Sequence, residues 1–278
     1  MWPRLSRSPI LRNFSWSPLI LEAFAHNAHL FGATAKSFRF LPSYLRPSSS
    51  PPTSKELHDV EPIFPATKVD PIPGLLVLHI RRGDFSDHCA HLARWSSDWN
   101  GFNKFATLPD KFHPPYDGGN GGEATEATKA YYLERCFPTI EQIVGKVRQV
   151  LDDQKKAYGR TRELERVYIM TNGETAWLND LKEALMGIKK WDSVTSSRDL
   201  ELDWEAKPVA QAMDMLVGQR AQVFIGNGVS HCFFSVAAQR GPVHGAYDPR
   251  GLQFSSLTSN IVMFRMLREL PTEDTRFW

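Results

Sequence analysis

The sequence predicts an α/β fold, a doubly wound parallel sheet with helices on both faces. Short apolar runs alternate with helical patterns along the chain, which is typical of a parallel sheet built from βαβ units. The clearest run, Leu75-Leu76-Val77-Leu78, follows Pro73-Gly74 and fits a strand buried on both faces. No internal repeat is visible, so these elements predict a single Rossmann-like unit.

The chain before this strand divides into two predicted segments. Ser17-Pro18 predicts a helix to about residue 31, because serine suits the N-cap and proline the first turn. Residues 42–73 are rich in proline and serine, as in a linker or an irregular surface segment. We therefore expect a helical remnant of a preceding domain at 1–41, a linker at 42–73 and the α/β domain at 74–278.

The elements of the α/β domain follow from periodicity. Apolar residues at helical spacing predict helices, and short apolar runs predict strands. The region after Phe85 is long, polar and aromatic, and we assign no helix or strand to it. The glycine-rich residues 114–122 predict a flexible surface loop. After it we predict a helix at 127–157 interrupted near Pro138, a strand at 166–171, a helix at 174–188, a weak strand at 191–196, a helix from Lys207-Pro208, a strand at 223–225 and a helix at 255–270.

Composition excludes some function classes. The net charge of +2 gives no electrostatic case for a nucleic-acid partner. No apolar run approaches the roughly 20 residues of a membrane span. The first 21 residues contain arginines and serines but no acidic residue. This composition is mildly like that of an organellar transit peptide, and the apolar core of a secretory signal is not found in it.

Cysteine usage leaves the redox state open. The chain has three cysteines, Cys89, Cys136 and Cys232, and no CxxC pair that would indicate a structural zinc site. A disulfide between Cys89 and Cys136 and three reduced thiols are the two alternatives.

Polar side chains follow three of the predicted strands. His79, Arg81 and Arg82 end the first strand, while Asn172 and Asn227 each precede a glycine after later strands. Ligands of open α/β sheets bind at the carboxyl ends of strands, and paired guanidiniums suit phosphate oxygens. A glycine turn before a serine-bearing helix also binds phosphate. Together these features predict a diphosphate-binding crevice.

Asp214 lies beside the apolar stripe of a predicted helix and therefore needs a partner. One alternative is an ion pair with Arg220 or a lysine, and the other is acceptance of hydrogen bonds from a guanine base. No Asp-x-Asp motif occurs, which disfavours a metal-dependent sugar transferase. The arginines would then neutralise the leaving diphosphate.

Two of these stretches resemble the signatures of GDP-fucose fucosyltransferases, chiefly protein O-fucosyltransferases. His79-Ile80-Arg81-Arg82-Gly83-Asp84-Phe85 is similar to the first signature. The second is similar to Lys207-Pro208-Val209-Ala210-Gln211, followed by Asp214 and then by Val223-Phe224-Ile225-Gly226-Asn227. The resemblance covers roughly residues 74–278 and implies the carboxyl-terminal, donor-binding half of a GT-B glycosyltransferase.

The resemblance also implies roles for residues. His79 and Arg81 would contact the donor, with Arg81 catalytic because it neutralises the diphosphate as the fucose bond breaks. Arg82 and Asn227 would help to bind the donor, Asp214 would hold guanine, and Ser255 and Ser256 would hold the β-phosphate. Fucose would pass from GDP-fucose to a protein hydroxyl or glycan with inversion, without a metal or other cofactor. Similar enzymes work in the ER or Golgi lumen, and full-length relatives include membrane-anchored proteins.

This sequence departs from the family pattern at its beginning. The family's amino-terminal Rossmann half supplies a Gly-rich donor loop and, in several members, the catalytic carboxylate, and neither is found before residue 74. One alternative to an active enzyme is therefore a catalytically incomplete GDP-sugar-binding remnant. Another is a protein-interaction module that uses Trp95 and Trp99.

A second departure splits the serine motif. Residues 229–253 separate Gly228 from Phe254-Ser255-Ser256, and we interpret them as an insertion, favouring a translated intron because Val229-Ser230 and Gln253 fit the codons of splice sites. The alternative is that Val229-Ser230 begins a helix. A transcript that joins the Gly228 codon directly to the Phe254 codon supports the intron, and transcripts that all contain the segment contradict it.

Overall fold

The computed structural model describes residues 4, 6–12, 14–33, 70–83, 85–99, 101–115, 123–228 and 251–278. At residues 10, 12, 101 and 251–256 it describes the backbone alone. Helices lie at Pro9–Arg12 (α1), Pro18–His26 (α2), Phe85–Arg94 (α3), Glu126–Cys136 (α4), Ile140–Tyr158 (α5), Thr175–Met186 (α6), Ala210–Arg220 (α7) and Gly251–Leu267 (α8). Strands lie at Ile72–Ile80 (β1), Arg166–Thr171 (β2), Ser193–Ser196 (β3), Ala221–Gly226 (β4) and Thr275–Phe277 (β5).

The described strands form one parallel sheet with the order β3-β2-β1-β4-β5. The chain therefore builds outward from β1 in one direction through β2 and β3, and in the other through β4 and β5. The point where the direction reverses lies between β1 and β4. In such sheets the crevice at this switch point is the usual ligand site. The predicted doubly wound α/β fold is confirmed.

One face of the sheet is covered by α2, α7 and α8. Phe24 and Phe31 from the amino-terminal segment stack at 4.9 Å and pack in the same apolar cluster as Leu75 and Val77 of β1. The first turn of α2 has the predicted cap, because the Ser17 hydroxyl accepts a hydrogen bond from the Ile20 amide. The segment predicted as a remnant of another domain thus shares the core of the sheet.

The opposite face is covered by α5 and α6. Alternate residues of β1, including Leu76, Leu78 and Ile80, point into this second cluster. The helix α5 begins at a capping box, in which Thr139 and Gln142 satisfy each other's backbone amides. The predicted interruption near Pro138 is confirmed, since α4 ends at Cys136 and α5 begins at Ile140.

A third apolar cluster lies where α3 and α4 meet the end of the sheet. Cys89 of α3 and Cys136 of α4 are both buried here and form a disulfide with a Cα–Cα distance of 5.9 Å. Of the two alternatives for these cysteines, the structure therefore contains the disulfide and not the reduced thiols. Trp99 also belongs to this cluster and stacks on Phe112.

Two elements differ from the sequence predictions. The helix α3 lies in the polar and aromatic stretch to which no helix or strand was assigned. Its buried positions Phe85, Cys89 and Leu92 recur at helical spacing within an otherwise polar sequence. The strand β5 was not predicted, because three residues after a helix give no periodic signal. Its Thr275 and Phe277 are buried by tertiary contacts, since β5 pairs with β4 and Phe277 packs on Trp99.

A buried guanidinium attaches β5 and α8 to the rest of the sheet. Arg265 of α8 is fully buried and donates hydrogen bonds to the backbone oxygens of Ala221 and Gln222 and to the Thr275 hydroxyl. Asp274 lies beside it and forms an ion pair with Arg162.

None of the helices in the described part of the chain has the length and apolar character that a membrane span needs.

We predict that Arg265→Met lowers the free energy of unfolding by about 3 kcal/mol or more, because several buried carbonyls lose their donor at about 1–3 kcal/mol each. Urea unfolding followed by circular dichroism measures this. The matched control is Arg148→Met on the exposed side of α5, which we expect to change stability by no more than about 0.5 kcal/mol. Equal, small effects of both substitutions would contradict the role of Arg265.

Candidate functional site

The predicted arginine site lies at the carboxyl end of β1, beside the switch point of the sheet. His79 is the penultimate residue of β1, and Arg81 and Arg82 follow the strand. Register pairs Leu78 with Ile225 of β4, so the ends of β1 and β4 lie side by side. All three polar side chains of the first signature are buried or nearly so. The sequence thus predicted the location of this group correctly.

His79 lies on the face of the sheet that α7 and α8 cover. Its Nδ1 lies 2.6 Å from the Thr258 hydroxyl of α8. Burial, together with the nearby Arg81 guanidinium, lowers the pKa of His79 to about 3. The imidazole is therefore neutral at physiological pH. It can take part in hydrogen bonds but contributes no positive charge to an anion site.

Thr258 approaches His79 because Gly226 has no side chain. A Cβ on Gly226 would lie 2.7 Å from the methyl group of Thr258. Thr258 follows Ser255 by three residues in the predicted helix, and the sequence prediction gave it no role. In the structure its side chain is fully buried. Ser255 and Ser256 lie in the first turns of α8, and nothing is described of their side chains.

Two asparagines hold the backbone of the residues we call the arginine turn (81–83). The amide of Arg81 donates to the Asn227 Oδ1 at 3.0 Å, and the amide of Arg82 donates to the Asn172 Oδ1 at 2.7 Å. Asn227 directly follows β4 and Asn172 directly follows β2, so the ends of the strands on both sides of β1 provide one asparagine each. The arginine turn is therefore fixed from both neighbouring strands.

Gly83 completes this turn. Its φ of +68° lies in the left-handed region that favours glycine, and a Cβ there would lie 3.1 Å from the Asn172 Nδ2. The same Nδ2 donates to the backbone oxygen of Arg82 at 3.2 Å. A glycine thus lets the chain turn sharply while Asn172 stays against it.

The guanidinium of Arg82 packs inside the protein. It lies between two aromatic rings, 4.2 Å from the ring centres of both Phe137 and Trp177, and donates to the backbone oxygen of Pro138. Burial lowers its pKa to about 10, which still leaves it charged at neutral pH. These contacts give Arg82 a structural role at the junction of α4, α5 and α6. Its predicted contact with the donor stays a prediction.

The guanidinium of Arg81 takes a different direction. Its central carbon lies 5.6 Å from the centre of the Phe85 ring, at the start of α3. Arg82 contacts Phe137, Pro138 and Trp177, whereas Arg81 lies near Phe85, so the two guanidiniums have different surroundings. The predicted binding of one anion by both guanidiniums stays a prediction. We therefore take Arg81 as the candidate anion-binding arginine.

Asp214 lies on α7, over the same face as His79. It accepts hydrogen bonds from the Tyr168 hydroxyl at 2.7 Å and from the Ser197 hydroxyl at 2.9 Å. Burial raises the pKa of Asp214 to about 6, and the two hydroxyls only partly oppose this. Arg220 instead interacts electrostatically with Asp70. Of the two alternatives for Asp214, the ion pair with Arg220 or a lysine is not found among the described residues, where its partners are the two hydroxyls.

The tryptophans proposed for an interaction surface differ in exposure. Trp99 is buried, with 3% of its surface accessible, whereas Trp95 is 58% exposed. Trp99 cannot serve a partner from the core, so the Trp-rich surface reduces to Trp95. In the described part of the chain, no cluster of three or more His, Cys, Asp or Glu side chains is arranged to hold a metal ion.

A family model described as GDP-fucose protein O-fucosyltransferase matches residues 70–242, more than half of the chain. The chain belongs to the GDP-fucose protein O-fucosyltransferase family. The matched range contains His79, Arg81, Asp214 and Asn227, and so both stretches that carry the resemblance. It also includes 229–242, the first part of the segment interpreted as an insertion or translated intron, and that interpretation stays a prediction. Residues 229–250 lie outside the described part of the structure.

A solved structure of POFUT1 in complex with GDP-fucose is similar to this O-fucosyltransferase-family chain. The match has 15% sequence identity and a TM-score of 0.39, over 75% of this chain and 42% of the POFUT1 chain. The chain therefore spans less than half the length of the protein it matches. No curated protein matches the chain.

The two perturbed groups of the site have opposite effects on stability. The pKa of His79 is about 3 in the folded chain and 6.5 in the unfolded chain, so its contribution to the free energy of unfolding is complete above pH 6.5 and decreases as the pH falls towards 3. The pKa of Asp214 is about 6 in the folded chain and 3.8 in the unfolded chain. Its contribution to the free energy of unfolding is therefore complete below pH 3.8 and decreases as the pH rises towards 6. Between about pH 4 and pH 6 the two trends oppose each other.

We predict that Asp214→Asn makes the free energy of unfolding rise more steeply with pH than in the wild type between about pH 4 and pH 6. His79→Gln should have the reverse effect over the same range, because it removes the trend that favours higher pH. Urea unfolding at several pH values measures both slopes. Slopes equal to that of the wild type in both variants would show that neither group titrates abnormally.

Proposed function

We propose that the chain binds GDP-fucose at the carboxyl ends of β1 and β4 and transfers L-fucose to a protein hydroxyl or a glycan, with inversion and without a metal ion. One observation carries the proposal. The His79-x-Arg81 signature of a chain that belongs to the O-fucosyltransferase family lies at the switch point of its parallel sheet. This is the position where such sheets bind nucleotides.

The charges of the site suit a nucleoside diphosphate. Arg81 supplies a guanidinium beside the end of β1, where it would neutralise negative charge that develops as the diphosphate leaves. His79 is neutral and buried, so we assign it a positioning hydrogen bond to the donor or to Thr258 rather than charge compensation. Asn227 and the helix α8 would border the phosphates.

Asp214 is suited to recognise a guanine base. A carboxylate has about four acceptor positions, and the hydroxyls of Tyr168 and Ser197 occupy two of them. The remaining positions would accept the N–H groups of guanine. Because the pKa of Asp214 is about 6, the side chain is mostly ionised at neutral pH and is ready to act as an acceptor.

The reaction would be a single displacement. The acceptor oxygen forms a bond to the anomeric carbon of fucose as the bond from that carbon to the GDP oxygen breaks, and GDP leaves with the electron pair. The acceptor hydroxyl must lose its proton to a base. The resemblance implies a carboxylate from the family's amino-terminal half for this role. Donor binding and turnover are therefore separate parts of the proposal.

We predict that GDP and GDP-fucose raise the melting temperature of the wild-type chain and that Arg81→Ala removes at least most of this shift, since charge-assisted hydrogen bonds contribute about 1.5–3 kcal/mol. Differential scanning fluorimetry over a range of nucleotide concentrations measures the effect. The control Arg148→Ala removes an exposed guanidinium from α5 and should keep the full shift.

Three outcomes separate the alternatives. Stabilisation followed by release of GDP from GDP-fucose in the presence of EDTA supports the metal-independent enzyme. Stabilisation without turnover in the presence of candidate acceptors supports the catalytically incomplete GDP-sugar binder. If GDP gives no stabilisation at any concentration, donor binding is contradicted and the interaction module is left.

A further inference from the structure

The end of α4 and the connection to α5 contact Arg82 of the arginine turn and Asn227, which holds that turn. The backbone oxygen of Cys136 accepts a hydrogen bond from the Asn227 Nδ2 at 2.7 Å, and that of Pro138 accepts one from the Arg82 guanidinium. Between them, the ring of Phe137 lies against the same guanidinium. Residues 136–138, which we call the disulfide segment, therefore support both arginines from outside the sheet.

The disulfide fixes this segment to the other side of the arginine turn. Cys136 is bonded to Cys89 in the second turn of α3, and α3 begins at Phe85. The Phe85 ring is the one beside the Arg81 guanidinium. The disulfide thus completes a closed path of bonds and contacts. The path runs from Arg81 through α3 to Cys89, across the disulfide to Cys136, and through Asn227 back to the Arg81 amide.

Asn227 provides the hydrogen bonds that complete this path. Its side chain accepts from the Arg81 amide and donates to the Cys136 oxygen, so each of its polar atoms has one specific partner. Only 1% of its surface is exposed, and a lost partner would not be replaced by bulk water. Leaving a buried polar group unsatisfied costs about 1–3 kcal/mol. A shift of the disulfide segment would therefore be transmitted to the backbone of Arg81.

We propose that Asn227 is a positioning residue that couples the Cys89–Cys136 disulfide to Arg81, so that the oxidised chain binds a guanosine diphosphate more tightly than the reduced chain. The ligand in this statement rests on the proposed function. In this coupling Asn227 acts through the Arg81 backbone, and any contact that it makes with the donor belongs to the proposed function. This coupling differs from the general stabilisation that a disulfide gives, because it depends on the hydrogen bonds of the Asn227 side chain, which a single substitution removes.

The redox step needs an external dithiol such as dithiothreitol. The reagent supplies two electrons and two protons, the bond between the two sulfur atoms breaks, and Cys89 and Cys136 become thiols while the reagent becomes a cyclic disulfide. All proteins in the test carry Cys232→Ser, which leaves a single pair of cysteines and prevents thiol exchange with a third.

The test is a cycle of two changes, reduction and Asn227→Ala, with GDP affinity measured by isothermal titration calorimetry. We expect reduction to weaken GDP binding about tenfold in the chain with Asn227, within the usual range of coupling between sites. We expect Asn227→Ala to weaken it by a similar factor and to leave reduction with less than about a twofold further effect. Independent, multiplicative effects of the two changes would overturn the proposal, as would no effect of either.

The matched control is Asn27→Ala. Asn27 is also fully buried and uses both polar atoms of its side chain, in hydrogen bonds with Ala23 and Glu201 on a different part of the molecule. We expect this variant to lose stability, to keep GDP affinity within about twofold, and to keep the full response to reduction. A loss of redox response in Asn27→Ala would show that general destabilisation, and not Asn227, explains the result.

A second measurement separates this inference from the proposed function. Hydrogen exchange of the Arg81 amide, measured without nucleotide, should become at least about fivefold faster on reduction or in Asn227→Ala and stay unchanged in Asn27→Ala. If Asn227→Ala fails to fold, the Cys89→Ser/Cys136→Ser variant replaces it in this comparison. Absence of GDP binding with faster exchange contradicts the proposed function and supports the coupling. Binding of GDP with unchanged exchange supports the proposed function and contradicts the coupling.

Discussion

The site depends on how the backbone amides of Arg81 and Arg82 are satisfied once β1 has ended. A strand that stops between two neighbours leaves its next amides without ladder partners, and buried amides without acceptors are costly. Asn227 and Asn172 supply the acceptors from β4 and β2. This arrangement requires a parallel neighbour on each side whose carboxyl end lies level with that of β1. It therefore links the topology of the sheet directly to the orientation of both guanidiniums.

Burial then separates the roles of residues that are adjacent in sequence. His79 is neutral because it is desolvated beside a guanidinium. Arg82 is held between two aromatic rings, where its charge is balanced by carbonyl and ring contacts. Asp214 is the reverse case, a carboxylate whose pKa is raised by burial although two hydroxyls donate to it. Arg81 remains as the cationic candidate at the switch point, consistent with a single dominant anion-binding group.

Much of the fold was predictable because its signals are local. Apolar runs and caps defined β1, β2, α2, α5 and α6, and the paired signatures indicated the family before any coordinates were considered. The helix α3 and the strand β5 were missed, since the buried positions of α3 lie within an otherwise polar sequence and β5 is a strand only through pairing with β4. The choice between a disulfide and free thiols also depended on which helices meet, which local sequence does not state.

The sequence by itself determined that an apolar strand ends in His79, Arg81 and Arg82, that asparagine–glycine pairs end two other strands, and that the chain resembles O-fucosyltransferases. Only the tertiary structure decided that β1 lies between those two strands. It also decided that Arg82 turns into the aromatic contacts of Phe137 and Trp177 while Arg81 stays at the switch point. The physical reason is that strand order and side-chain burial depend on contacts between residues far apart in the chain, and these contacts leave no periodic pattern in it.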